Sequence, residues 1–255
     1  MRTAIFLSAR DKATRLPGKL FLDVAGRPAL EHLIDRLEQA KEPDLLLLTT
    51  STNLGDDTLV ELARRRGVPA FRGSEDDKLD RYRGAAKAHG VDFAAVVDGD
   101  DLLCAPDYVD RAIQAHRETG ADYVTARGLP LGAACFGVAA PALERVCALK
   151  AERDTEVWGG YFTDTGLFRA VYVEADPDVR RPEYRMTLDY PEDLAFFRAV
   201  LERLGAPGAP ASLRDVVALL DAEPGLVAIN REATRRYEAH LAKAAPVKLR
   251  ESGRP

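Results

Sequence analysis

Residues 3–19 read T-A-I-F-L-S-A-R-D-K-A-T-R-L-P-G-K, and this stretch decides the fold class. Its first part, Thr3–Ser8, is an apolar run of strand length, and its second is a polar loop carrying Arg10, Lys12, Arg15 and Lys19. Pro17-Gly18 sets a tight turn before Lys19. In open α/β sheets ligands bind at the carboxyl ends of strands. Several positive groups on one such loop suit a polyphosphate better than a single carboxylate. The Gly-x-x-x-x-Gly-Lys-Ser/Thr spacing is missing and Gly18 is the loop's only glycine, so this is not a P-loop. Phosphates there would be held mainly by side chains. The plain alternative is a solvated turn, the ordinary place of basic loop residues.

Downstream, apolar runs of strand length alternate with helical patterns, the signature of a parallel sheet flanked by helices. A helix opens at Pro28 and buries Leu30, Leu33, Ile34 and Leu37. Strands are expected at 45–50 and 68–71, with a helix ending at Gly67 between them. A helix at Lys78–His89, a buried strand at Phe93–Asp98, a helix at Pro106–Thr119 and a strand at 123–126 follow. Beyond Gly128 the rhythm changes. Strand-like pieces at 135–138 and 168–173 flank a helix after Pro141 and an aromatic segment with Trp158, Tyr161 and Phe162. A short strand at 185–188, a helix starting at Pro191, a linker at 205–210 and a helix at 213–220 complete the pattern. The expected organisation is a core of residues 1–204, divided into halves 1–127 and 128–204. A helical extension (205–243) and a disordered tail (244–255) follow.

The chain's 255 residues allow a substantial core. A net charge of -5 argues against a dedicated nucleic-acid binder, whose footprint is normally basic, so the basic loop must serve something local. Cys104, Cys135 and Cys147 lack zinc spacing and are odd in number, which leaves them as buried hydrophobes. No uncharged apolar stretch approaches membrane-spanning length, and the N-terminal run is cut short by Arg10 and Asp11, so neither a membrane span nor a signal peptide is expected. The cytoplasm is the expected location.

The opening, I-F-L-S-A-R-D-K-A-T-R-L-P-G-K-L-F-L-D-V-A-G-R-P-A-L-E-H-L-I-D-R-L, resembles that of the cytidylyltransferases that activate bacterial surface sugars. The likeness is strongest to the spore-coat-polysaccharide type, related to the 3-deoxy-manno-octulosonate and acylneuraminate enzymes. It recurs in order at 60–82, in D-G-D-D (98–101), in R-M-T-L-D-Y-P-E-D-L (185–194) and at 212–230. The resemblance implies a glycosyltransferase-A-like, Rossmann-like nucleotidyltransferase fold with a mostly parallel central sheet. It also implies CTP as substrate, Mg²⁺ as cofactor and a homodimer.

Nucleotidyl transfer needs a cradle for the triphosphate, a metal at the α-phosphate and an in-line acceptor oxygen. Arg10, Thr14, Arg15 and Lys19 match the family's A-R-x-x-S-T-R-L-P-G-K loop, with Ala13 replacing a Ser; Lys12 falls at a variable position. Asp100 stands just past the buried strand, where Gly99 would let the backbone approach a ligand. Asp189 precedes the helix at Pro191. Read alone, the first is equally a turn residue and the second a helix cap. In the family pattern both acids bind the metal, and hard carboxylate oxygens suit Mg²⁺. The resemblance further implies that the main chain near Ala9, together with Ser74 and Arg81, helps hold the nucleotide. A helix start capped by Ser74 is the alternative for that segment.

On the acceptor side, Arg169, Arg180, Arg181 and Arg185 form a basic cluster able to grip a carboxylate or phosphate. Trp158 and Tyr161 are candidates for the acceptor pocket, and residues 128–168 for a subunit contact. The expected function is transfer of CMP from CTP to a small anionic sugar or related acceptor, with Arg10, Lys19, Asp100 and Asp189 catalytic. Two alternatives are a nucleotidyltransferase using another NTP with a sugar phosphate or cofactor acceptor, and a non-catalytic nucleotide-binding protein.

Overall fold

The computed structural model describes residues 1–204, 210–241 and 247–250. Strand β1 (Thr3–Ser8) is buried along its whole length, as a continuous apolar run covered on both faces must be. The cationic loop follows, closed by a short 3₁₀ turn at Lys19–Phe21 and a hairpin of β2 (Asp23–Val24) and β3 (Arg27–Pro28). Then come α1 (Ala29–Leu37), β4 (Leu45–Ser51), α2 (Asp57–Arg65), β5 (Ala70–Gly73), α3 (Lys78–His89), β6 (Phe93–Asp98), α4 (Pro106–Thr119) and β7 (Tyr123–Arg127). The second part holds β8 (Phe136–Ala139), α5 (Ala140–Leu149), α6 (Gly160–Thr163), β9 (Ala170–Glu174), α7 (Pro191–Leu204), α8 (Leu213–Ala222), α9 (Pro224–Ile229) and α10 (Arg231–Leu241).

Seven strands form one sheet in the order β5-β4-β1-β6-β8-β7-β9. Only β8 runs against its neighbours, so the expected mostly parallel, helix-flanked sheet is present. β1 lies between β4 and the central strand β6, with Ser8 opposite Thr49 on one side and Asp98 on the other. That register brings the cationic loop and the loop after β6 side by side. The contact needs a glycine: a Cβ on Gly99 would lie 2.9 Å from the Ala9 Cβ and 3.3 Å from the Ser8 carbonyl oxygen. Gly99 therefore lets two chain segments meet, and it also lines the cleft at their ends.

Several expectations need correction. The third strand starts two residues later than 68–71, because Val68 is still tied to the end of α2 through Ala63 O. Residues 185–188 make only a lone parallel bridge, Leu131 with Arg185. Beside that bridge Leu131 N donates to Tyr184 O at 2.9 Å and Met186 N to Leu131 O at 2.7 Å, and Gly132, at φ 88°, passes so close to Met186 that a Cβ would come within 2.3 Å of its carbonyl oxygen. Asp77, not Ser74, caps α3, its carboxylate accepting from Asp80 N at 3.0 Å.

Two apolar clusters fill the fold. The larger joins β1, β4 and β6 to α1–α3 and α5. The second unites Leu102, Tyr108, Met186 and Phe197 with Val216, Leu220 and Leu226, so α8 and α9 complete a core with α7. Trp158 and Tyr161 belong to the larger cluster, and Trp158 makes edge contacts with Tyr82, Tyr123 and Phe162 at 5.8–5.9 Å. Trp158, Tyr161 and Phe162 of the 128–168 segment are thus buried in the core and give no exposed aromatic surface for the subunit contact expected there. In the tail, Leu249 bridges Lys150 and Arg250 N donates to Leu149 O at 2.8 Å, so 247–250 are paired rather than disordered. The rest of that tail, and 205–209 of the linker, lie outside the described residues. Among the described residues no helix is long and apolar enough to cross a membrane.

Candidate active site

A cleft of about 740 Å³ opens at the carboxyl edge of β1 and β6. Ala9, Arg10, Thr14, Arg15, Lys19, Arg81, Asp100 and Asp189 all line it, although they span 180 positions of the chain. Ala9 N is committed to Thr49 O at 3.2 Å, which leaves its carbonyl as the main-chain group on offer.

The centre is a pair of carboxylates on one ammonium. Lys19 Nζ stands 2.5 Å from Asp100 Oδ2 and 2.9 Å from Asp189 Oδ1, and Arg15 donates to the same Asp189 oxygen at 2.6 Å. Burial works against the charge on Lys19, but Asp100 and Asp189 outweigh it and raise its pKa. Burial likewise opposes the Asp189 anion, yet Lys19 and Arg15 hold its carboxyl down at about 2.

Asp189 is fixed from behind by a network that the sequence reading did not foresee. Arg185 grips the fully buried Asp193 through two N–H···O bonds of 2.9 Å and donates to Asp189 Oδ2 at 3.2 Å. Asp193 Oδ2 also accepts the backbone N–H groups of Asp189 and Tyr190, each at 3.0 Å. An acid in the first turn of a helix that follows Pro191 was the available signal; its partner eight residues earlier was not. Arg185 is 3% exposed and so holds a carboxylate in place instead of facing an acceptor.

The other acceptor candidates are elsewhere. Arg169 is exposed at the amino end of β9, the edge away from the cleft. Arg180 pairs with Glu174 and Arg181 with Asp221 on the surface. None of these three arginines, nor Trp158, Tyr161 or Ser74, lines the cleft. The Ser74 hydroxyl is used inside its own turn, accepting from Asp77 N at 3.1 Å.

A second charged group flanks the cradle. Glu156 accepts from Arg10 at 2.5 Å and from Lys78 at 3.0 Å, and Lys78 also reaches Asp98 at 3.0 Å. Burial disfavours the Lys78 ammonium, but Asp98, Tyr82 and Glu156 keep it charged. Arg81 differs from these cations. It is 1% exposed, donates to Ser74 O at 3.1 Å, and leaves Nε and one Nη buried with no partner among the described residues. Buried unpaired donors are costly, and a ligand bearing acceptors would relieve them.

Asp100 Oδ2 and Asp189 Oδ1 converge on a single cationic centre, now the Lys19 nitrogen. Two hard oxygens aimed at one point fit Mg²⁺, which takes one or two protein carboxylates and fills its shell with phosphate and water. Among the described residues no group of three or more His, Cys, Asp or Glu side chains is arranged to hold a metal alone. A cation there would draw its remaining ligands from the substrate.

This geometry, a cationic loop facing two carboxylates at the edge of a parallel sheet, is what nucleotidyl transfer requires. The sequence pattern of the cytidylyltransferase family covers residues 4–202, and the chain belongs to that family. The chain is 32% identical over 235 residues to the spore coat polysaccharide biosynthesis protein SpsF of Bacillus subtilis, covering 89% of this chain and 97% of that one. Among solved structures, a cytidylyltransferase from Leptospira borgpetersenii superposes with a TM-score of 0.80 at 24% identity, over 89% of this chain and 97% of its own. CMP:2-keto-3-deoxy-manno-octonic acid synthetase complexed with CTP shares the fold, with a TM-score of 0.62 at 16% identity over 80% and 99% of the two chains.

Proposed function

We propose that the protein transfers the CMP group of CTP to a small anionic sugar with release of pyrophosphate, in the making of a surface polysaccharide. The observation that carries this reading is the convergence of Arg10, Arg15 and Lys19 with Asp100 and Asp189 in one cleft. Their family is one of cytidylyltransferases. The sugar-acid part draws on relatives such as the 3-deoxy-manno-octulosonate cytidylyltransferase of Anaeromyxobacter dehalogenans, 31% identical over 115 residues. That match covers 44% of this chain and 46% of the relative.

Arg10, Arg15 and Lys19 bind the β- and γ-phosphates and offset the charge that builds on the departing pyrophosphate. Arg81, with its unpaired donors, faces the acceptor atoms of the base. Asp100 and Asp189 hold Mg²⁺, which when bound supplies neutralising charge at the α-phosphate. Arg185 and Asp193 keep the Asp189 carboxylate aimed. The acceptor oxygen bonds to the α-phosphorus as the bond to the β-phosphate oxygen breaks, and no covalent enzyme intermediate is needed.

A pyrophosphate-release assay with CTP, ATP, GTP and UTP against a panel of sugar acids tests the assignment. Turnover with CTP and a sugar acid is the expected result. Equal rates with all four nucleotides, or a neutral sugar as best acceptor, would overturn it.

A further inference from the structure

Helix α10 lies beyond residues 4–202, yet it contributes a side chain to the cleft. The helix is anchored at several points. Ala233 is fully buried, and Asn230 just before α10 donates to Arg185 O at 3.1 Å and to Asp193 Oδ1 at 3.0 Å. Arg236 pairs with Glu192 at 2.8 Å and lies over the Tyr190 ring at 4.4 Å. Between these anchors Tyr237 reaches the cleft, its ring centroid 4.8 Å from the Arg185 guanidinium carbon. That guanidinium is itself locked by Asp193 and Asp189, so the ring rests on a rigid floor.

We propose that Tyr237 is an acceptor-binding residue, its ring forming the cleft wall beyond the carboxylate pair and its hydroxyl donating a hydrogen bond to an oxygen of the sugar acid. This rests on the CMP-transfer reading above.

Three observations support the assignment. The nucleotide end of the cleft is marked by Arg10, which meets Glu75 and Glu156, and by Arg81, which meets Ser74 and Tyr82. Tyr237 shares none of those neighbours; it stands near Asp189, Asp100 and Asp101, at the end lined by Leu131, Gly132 and Thr187. Second, the Tyr237 hydroxyl makes no hydrogen bond to another described residue, so its donor is open to a ligand. Third, an apolar ring with a polar tip matches a sugar's alternation of C–H faces and hydroxyls.

The test compares the full-length wild type with Tyr237→Phe, which keeps the ring on Arg185 and removes only the donor. CTP affinity is measured by calorimetry without acceptor. Pyrophosphate release is then followed with 3-deoxy-manno-octulosonate and N-acetylneuraminate as probes. We expect KM for the probe that is turned over to rise about tenfold, the usual scale for a hydrogen bond to a charged or strongly polar group. kcat should stay within about threefold, and CTP affinity and Tm should not change. An unchanged acceptor KM overturns the proposal, and so does a loss of CTP affinity in step with the rise in KM. If wild type turns over neither probe but does turn over a neutral sugar, the sugar-acid reading itself fails and this role for Tyr237 with it. Tyr237→Ala, if it also lowers Tm, measures the ring's packing separately and leaves the Phe comparison decisive.

Discussion

The Lys19 ammonium stands 2.9 Å from the Asp189 carboxylate, joining a loop after the first strand to a residue 170 positions later. Asp189 is 4% exposed, so this pair is screened little by solvent, and its charge state is coupled to folding. The carboxyl titrates at about 2 in the folded chain against an ordinary 3.8. As pH falls the unfolded chain therefore takes up the proton first. The stabilisation is complete above about pH 4 and is lost as pH falls through 2.

Urea unfolding between pH 5 and pH 2 should accordingly show a steeper loss of stability in wild type than in Asp189→Asn, by on the order of 2 kcal/mol. Parallel curves would mean that the Lys19–Asp189 pair does not form in solution.

Asp100→Asn and Asp189→Asn should each lower turnover on the order of a hundredfold at saturating CTP and Mg²⁺, since the change keeps shape and removes an anionic ligand. Single-turnover pyrophosphate release reads this directly. A variant within about threefold of wild type does not carry a metal ligand at that position.

Asp193→Asn should cost about 3 kcal/mol or more, because it leaves the Arg185 guanidinium buried with half of its charge compensation gone. The same variant should weaken Mn²⁺ binding measured by electron paramagnetic resonance, since Asp193 also holds the backbone at Asp189. A Tm shift with unaltered Mn²⁺ affinity would confine Asp193 to stability.

Glu156 occupies Arg10 and Lys78 at the place where an incoming triphosphate needs the Arg10 fork. Glu156→Gln should tighten CTP binding by about threefold at low ionic strength and less at high salt, as loss of a competing and repelling charge predicts. Weaker binding in the variant would instead make Glu156 a residue that positions Arg10 for the nucleotide.

Much of the frame was legible from local pattern. The bounds of α3, β6 and α4 follow from helix and strand periodicity with turn residues at their ends, because propensity and burial pull the same way there. The loop residues Arg10, Arg15 and Lys19 were legible too, since a cationic loop directly after a buried strand is itself a short-range feature. The arginines of the second half misled. Arg169, Arg180, Arg181 and Arg185 look alike in one dimension, yet one is fully enclosed beneath Asp189 and the other three meet solvent. Trp158 and Tyr161 misled for a related reason. A cluster of aromatics reads the same whether it faces a ligand, a partner or the core.

The sequence by itself determined the alternation that makes a parallel sheet, the cationic loop at the end of its first strand, and the family pattern that runs through most of the chain. Only the tertiary structure decided which charges meet. Lys19 finds Asp100 and Asp189, Arg10 finds Glu156, and Tyr237 comes to rest on Arg185 because strand order and helix packing set distances between residues far apart in the chain. Ion pairs and hydrogen bonds act over a few ångströms, so their partners are chosen by the fold that brings them together, and no local run of sequence specifies that choice.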